Sequence, residues 1–85
     1  MFYYVYVLKS DKDKKLYYGY SSNLKLRFEQ HQKGQVASTI DRRPLRLIYY
    51  EACLNQQDAT HREKYFKTYH GAMFLRRRLK SYLTG

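Results

Sequence analysis

The chain has 85 residues, and 17 lysines and arginines against 7 aspartates and glutamates give it a formal net charge of +10. The length predicts one domain over residues 1–85, and the charge predicts a polyanionic partner, nucleic acid above all. Cys53 is the only cysteine, which excludes an intrachain disulfide and a thiolate metal cluster and fits a reducing cytoplasm.

The first predicted element is a β-hairpin. Its strands, Phe2 to Ser10 and Leu16 to Ser21, are rich in aromatic and β-branched residues, and the charged stretch Asp11 to Lys14 separates them. The opening run from Phe2 to Leu8 is too short to cross a bilayer. It meets Lys9 without a small-residue cleavage site, so we expect neither a signal peptide nor a membrane anchor.

The register of this hairpin decides where its tyrosines point. A turn over Asp11 to Lys14 contains an even number of residues, so Leu8 pairs with Tyr17. Tyr6 then pairs with Gly19 and shares one face of the sheet with Tyr17 as a diagonal neighbour. An odd-length turn would place the two tyrosines on opposite faces.

The next predicted element is a helix. Ser22 or Asn23 can cap its first turn, and the helix is expected to run through Lys33. Gly34 follows as a residue that adopts the left-handed conformation at a helix end. Arg27 lies on this helix.

A polar segment without periodicity follows, from Gln35 to Arg43, and is predicted to be a surface loop. Proline is tolerated at the start of a strand. Pro44 therefore begins the third predicted strand, which continues to about Cys53.

The last third of the chain is predicted to be helical. Asn55 with Asp58 resembles a weak capping box that opens a helix to about Tyr69. Gly71 is expected to separate it from a final helix ending near Leu83. The predicted order of elements is β-β-α-β-α-α.

A carboxylate lies on the inward stripe of the first of these two helices. Glu63 projects toward the same side as Ala59 and Phe66 at 100° per residue. Glutamate is rarely buried without a partner, and a metal ion or a group of cations and hydroxyls would supply one. The alternative is a helical ion pair with Lys67 at the edge of the stripe.

Four other polar side chains have ordinary structural explanations when taken singly. Tyr6 and Tyr17 could be plain core residues, Arg27 a solvated helix residue, and His31 an imidazole whose cation the helix dipole favours. Their combination favours a site: two phenols from a hairpin, a guanidinium and an imidazole from the following helix, and the later carboxylate of Glu63.

The chain resembles the GIY-YIG nuclease superfamily over nearly its whole length. Tyr4-Val5-Tyr6 stands where the family has Gly-Ile-Tyr, and Tyr17-Tyr18-Gly19 where it has Tyr-Ile-Gly. The stretch from Tyr17 to Phe28 is similar to the family's second triplet and the helix after it, which carries the active-site arginine. The stretch from Asp58 to Glu63 is similar to the family's later helix, which carries the metal-binding glutamate. The overall pattern is that of the small, stand-alone bacterial members.

The resemblance implies a fold and a reaction. The fold is α+β, a small three-stranded antiparallel sheet with flanking helices. The reaction is phosphodiester hydrolysis with one divalent metal, Mg²⁺ or Mn²⁺, held by Glu63 as the single protein ligand. Tyr6 and Tyr17 would orient the attacking water, one of them or His31 would accept its proton, and Arg27 would bind the phosphate oxygens.

Two features differ from the family pattern. The glycine of the first triplet is Tyr4 here, and no asparagine follows Glu63, where many members have one late in the domain.

The basic surface is expected to bind the substrate, DNA more than RNA, with weak sequence selectivity or selectivity for structure. The predicted contacts are Arg42, Arg43, Arg46, Arg76, Arg77, Arg78 and Lys80. The leading hypothesis is therefore a metal-dependent DNA endonuclease. The alternatives are a noncatalytic nucleic-acid-binding module that stacks bases on its strand tyrosines, and an adaptor that docks an acidic protein.

Overall fold

The central element of the fold is a strand that pairs on both of its edges. A computed structural model describes residues 1–85 and confirms the α+β class, with an antiparallel sheet in the order β2-β1-β3. The strands are β1 (Tyr3–Ser10), β2 (Leu16–Ser21) and β3 (Leu45–Cys53). The helices are α1 (Leu24–Gln32), α2 (Gln56–Phe66), α3 (Tyr69–Arg78) and α4 (Lys80–Thr84). None of these helices is both long enough and apolar enough for a membrane crossing.

The hairpin has the predicted register. Leu8 pairs with Tyr17, and Tyr6 pairs with Gly19, which confirms that the two tyrosines share one face of the sheet. Gly19 is required there for a steric reason, because a Cβ atom at this position would overlap the phenol of Tyr6. The glycine of the second triplet thus makes room for the tyrosine of the first.

The two faces of the sheet are covered differently. The face that carries Tyr6 and Tyr17, here called the site face, lies under α1, and its buried apolar residues are Tyr6, Leu8 and Leu45. The opposite face, here called the packed face, lies under α2 and α3. Its buried residues are Val5, Val7, Ala59, Phe66 and Leu75. The larger apolar cluster therefore belongs to the packed face.

The segment from 35 to 43 differs from the surface loop that its composition predicts. It contains a 3₁₀ helix, Ile40–Arg42, and buries the side chains of Val36 and Thr39. Thr39 becomes buried because its hydroxyl is the hydrogen-bond partner of a histidine inside the protein. A polar residue can leave water when such a partner satisfies it.

The helix caps are partly as predicted. Asn23 caps α1 by accepting the N–H of Leu26, and Gly34 follows α1 with a φ of 75°. Asn55 caps α2 by accepting the N–H groups of Gln57 and Asp58.

The predicted helix break at Gly71 is wrong. α2 ends at Phe66, and Thr68 caps α3 by accepting the N–H of Gly71, which lies in the first turn of α3. A Cβ atom on Gly71 would overlap the carbonyl of Tyr65. The residue is therefore a point of close approach between two helices. The helical region divides instead at Lys67 and Thr68, between α2 and α3, and again at Leu79, between α3 and α4.

Candidate active site

The candidate site begins with the two tyrosines of the hairpin and the helix packed above them. The Asn23 cap fixes the start of α1, so Arg27 and His31 lie one turn apart on its side toward the site face. α1 thereby delivers a guanidinium and an imidazole to the two phenols of β1 and β2.

A chain of buried hydrogen bonds runs through His31. The Tyr6 hydroxyl lies 2.9 Å from Nε2 of His31, and Nδ1 of the same ring lies 2.7 Å from Oγ1 of Thr39. Thr39 in turn donates its hydroxyl proton to the carbonyl of Val36 at 3.5 Å. Oγ1 of Thr39 is then left to accept the proton of Nδ1, so Nε2 of His31 accepts from Tyr6.

The protonation states follow from burial. His31 has no exposed surface, and burial together with the nearby charge of Arg27 lowers the pKa of its imidazole from 6.5 to about 4. Burial likewise raises the pKa of Tyr6, although the adjacent Arg27 partly offsets the rise. At neutral pH the pair is therefore a neutral phenol that donates to a neutral imidazole.

Tyr17 borders the same histidine but is less enclosed. Its ring meets the ring of His31 edge to face, with centroids 5.2 Å apart. Its hydroxyl accepts a hydrogen bond of 3.4 Å from Ser38. Tyr6 is 1% exposed whereas Tyr17 is half-buried, so Tyr17 is the phenol that meets solvent more readily.

Arg27 is half-buried at the edge of this cluster and has no carboxylate partner. Nη1 donates to Oε1 of Gln30 at 3.2 Å, and the four ion pairs of the structure use other cations. The guanidinium also lies within hydrogen-bonding reach of the Tyr6 phenol, where it opposes the rise in pKa that burial causes, and the rest of its five N–H groups are available for an anion.

Glu63 approaches the cluster from α2. Its side chain is 22% exposed, and Oε2 lies 3.6 Å from Nζ of Lys67, so the helical ion pair that the sequence offered as an alternative does form. A pair of this kind contributes at most about 1 kcal/mol. The Glu63 charge also raises the pKa of Tyr6, which shows that the carboxylate lies within electrostatic reach of the phenol.

The structure gathers no group of three or more histidine, cysteine or acidic side chains that could hold a metal ion. A cation at Glu63 would accordingly have at most two such protein ligands and complete its coordination with water and phosphate oxygens. Oxygen ligands in that proportion suit Mg²⁺, which retains several waters.

The basic residues named from sequence fall into two groups. Arg42 pairs with Asp13 at 2.8 Å and Arg46 with Asp11 at 2.9 Å, while Arg43 donates to the carbonyls of Ile40 and Gln32. These three fasten neighbouring segments to one another. The second group is exposed and forms no ion pair: Arg76, Arg77, Arg78 and Lys80.

Tyr4 occupies the glycine position of the first triplet without disturbing Tyr6. Its ring packs edge to face on Tyr50 of β3, with centroids 6.0 Å apart, on the site face away from the edge strand β2. The two tyrosines line a groove of about 560 Å³ beside α1.

Thr39 and Ser38 are the polar contacts of the site that the sequence did not identify. Both belong to the segment after α1 that has no periodicity. Nothing in their spacing indicates that one meets His31 and the other Tyr17.

Comparison with known proteins places this geometry in a family. The chain matches the GIY-YIG catalytic domain over residues 2–78. It is 50% identical over 66 residues to a UPF0213 protein from Pediococcus pentosaceus, covering 76% of this chain and 68% of that protein. It is 43% identical over 65 residues to a UPF0213 protein from Clostridium perfringens, covering 75% and 69%.

A solved structure has the same fold. The solution NMR structure of a UPF0213 protein from Bacillus halodurans has a TM-score of 0.55 and 28% sequence identity, and the likeness covers 88% of this chain and 82% of that one. The family match contains both tyrosine triplets, Arg27, His31 and Glu63. The chain therefore belongs to the GIY-YIG family.

Proposed function

We propose that this protein is a metal-dependent endonuclease that hydrolyses phosphodiester bonds in DNA. The observation that carries the proposal is the buried chain from Tyr6 through His31 to Thr39, which is polar, fully hydrogen-bonded and placed beside an unpaired arginine. A polar chain inside a small domain is costly unless every member is satisfied. An apolar residue would fill the place of His31 at lower cost if packing were its only role.

The hydrogen bonds give each group a role. Tyr17 is the accessible phenol and would orient the attacking water. Tyr6 would receive the proton of that water as it passes its own proton to Nε2 of His31, which is neutral and accepts at neutral pH. Thr39 would hold His31 in the tautomer that allows this transfer.

The charge that develops on the phosphate would be met by Arg27, whose free N–H groups can bind two of its oxygens. Glu63 would hold the divalent cation, Mg²⁺ or Mn²⁺. When bound, such an ion withdraws charge from the scissile phosphate and lowers the pKa of a coordinated water. The positioning of water, proton and phosphate would fall to the protein groups.

The substrate follows from charge more than from shape. A net charge of +10 favours any polyanion, and phosphate contacts carry no sequence information. We therefore propose weak sequence selectivity or selectivity for nucleic-acid structure. The preference for DNA over RNA is what the likeness to the GIY-YIG nucleases implies, because charge alone does not separate the two polymers.

The test is a cleavage panel of single-stranded, duplex, flap and branched DNA with Mg²⁺ or Mn²⁺. Glu63→Gln keeps the size of the side chain and removes its charge, and it is expected to lower the cleavage rate by about a hundredfold or more. Binding of the same DNA should remain. Glu29→Gln, the same change at an exposed position of α1, is the matched control and should cleave as the parent does.

Two results would contradict the proposal. Parent-like cleavage by Glu63→Gln would remove Glu63 from the site. Tight binding of every DNA by the parent protein, with no cleavage under either metal, would instead make the protein a noncatalytic nucleic-acid-binding module.

A further inference from the structure

A basic cleft lies beside the edge strand β2, on the packed face of the sheet. Its volume is about 410 Å³, and it opens between the β1–β2 hairpin and the helices α3 and α4. Four cationic side chains line it: Lys9, Lys14, Lys15 and Arg76. Its floor is apolar and includes Leu16 and Tyr18.

None of the four cations is neutralised by the protein. The ion pairs of the structure involve Arg42, Arg46, Arg62 and Lys67, and no acidic residue lines the cleft. Asp13 and Asp11, the two acids of the adjoining turn, are already paired with Arg42 and Arg46. Like charges held around one concavity repel each other, and an anion that enters it removes that repulsion.

One of the four cations contacts an aromatic ring, and a second lies near a phenol. The Lys9 ammonium lies 5.6 Å from the centroid of the Tyr82 ring. The charge of Arg76 opposes the rise that burial causes in the pKa of Tyr18, which places its guanidinium near that phenol. Two of the four charges of the cleft therefore have aromatic neighbours.

The cleft and the candidate site lie on opposite faces of the same edge strand. β2 is an edge strand, and successive residues along it point to opposite faces. Tyr17 points to the site face beside His31, while its neighbours Leu16 and Tyr18 point to the cleft. A nucleic-acid strand that crosses the edge of β2, which pairs with no second strand, can contact both places at once.

We propose that the cleft binds backbone phosphates of the DNA substrate next to the scissile phosphate, so that the nucleic acid wraps over the edge of β2. The inference rests on the proposed function for the identity of the substrate, and it adds a second contact surface on the opposite face of the sheet. Nucleic acid fits better than a single small anion because the cations are distributed around a cleft with an apolar floor, where successive phosphates and a sugar can lie together.

The test measures binding separately from cleavage. A fluorescein-labelled DNA oligonucleotide is titrated with protein in EDTA, and fluorescence anisotropy is followed at several KCl concentrations. Lys15→Gln/Arg76→Gln should weaken binding by about tenfold to a hundredfold near 0.1 M salt and reduce the slope of log K against log salt by about 1.4 to 1.8, the value of two lost phosphate contacts.

The matched control removes the same charge elsewhere. Lys33→Gln/Lys64→Gln changes two exposed lysines that form no ion pair and line neither the cleft nor the groove beside α1, and it should weaken binding less than about threefold. Lys15→Arg/Arg76→Lys keeps both charges and should keep the parent slope. Equal losses in the two charge-removing variants would overturn the proposal, because they would indicate a general effect of net charge.

A second measurement locates the contact on the DNA. Replacing one phosphate at a time by a neutral methylphosphonate should reveal a position that weakens binding of the parent but not of Lys15→Gln/Arg76→Gln. If no position behaves in this way, the cleft does not hold the backbone. Failure of the parent to cleave any DNA would refute the proposed function and leave these binding results standing, so the two failures are distinguishable.

Discussion

The two faces of the sheet bury different kinds of side chain, an apolar cluster on one face and a polar chain on the other. The packed face buries Phe66, Leu75 and the valines of β1 in an apolar cluster. The site face buries the polar chain of Tyr6, His31 and Thr39 under one helix. Apolar burial stabilises the fold directly, whereas a buried polar chain contributes little net stability even when it is satisfied. One face of a small sheet thus provides the stability that lets the other carry groups suited to chemistry.

The largest test of this comparison is on the packed face. Phe66→Ala removes the ring that packs against Tyr18, Tyr49 and Phe74, and it should lower the free energy of unfolding by about 3–5 kcal/mol. Phe28→Ala makes the same change at a half-buried residue of the site face and should lower the free energy of unfolding by about half as much. Urea denaturation followed by circular dichroism measures both, and equal losses would show that the two faces share the stability evenly.

A second test uses pH. In the unfolded chain His31 titrates near 6.5, and in the folded protein its pKa is about 4 because of burial and Arg27. Between these values the unfolded state binds more protons, so the free energy of unfolding falls as the pH falls, by up to about 1.4 kcal/mol per pH unit.

Above pH 6.5 the imidazole of His31 is neutral in both the folded and the unfolded state, so the loss of stability that its protonation causes is absent. His31→Gln should flatten the dependence between pH 6.5 and 4, and His61→Gln, at an exposed histidine of α2, should retain it. Denaturation midpoints across that range give the answer. A parent whose stability is constant over the same range would contradict the burial of a neutral His31.

The smallest effect on stability is expected at the phenols. Tyr6→Phe leaves Nε2 of His31 without a donor inside the protein and should lower the free energy of unfolding by about 1–3 kcal/mol. Tyr17→Phe deletes a hydroxyl that is half-buried and weakly bonded, and it should cost less than about 1 kcal/mol. Thermal unfolding of the two variants gives both losses of stability. Equal losses would mean that the buried hydroxyl of Tyr6 contributes no more to stability than the half-buried hydroxyl of Tyr17.

Much of the fold could be predicted because its signals are local. The hairpin register follows from the even number of residues in the turn, and the ends of α1 follow from Asn23 and Gly34. The tyrosine triplets, Arg27 and Glu63 carry the family resemblance, and in the structure Tyr17, Arg27 and Glu63 all lie close enough to act on the phenol of Tyr6.

The remaining features depend on tertiary contacts. The sequence around Gly71 predicts a helix break, yet the residue permits a close approach to Tyr65 that no local pattern indicates. The burial of Thr39 is not predictable from sequence, because a polar residue in a segment without periodicity gives no sign of burial. The free pKa of histidine likewise misrepresents His31, because the shift comes from the tertiary burial of its ring and from Arg27.

The steric fit between Tyr6 and Gly19 has a consequence for how such sequences can change. The phenol of Tyr6 fills the space where a side chain at position 19 would begin, so neither position is free to vary alone. A chain that gains a side chain at position 19 has to shorten or redirect the residue at position 6 in the same step. Across related proteins the two positions are therefore expected to covary, and a pairwise substitution library of positions 6 and 19, sorted for folded protein, would make that covariation visible.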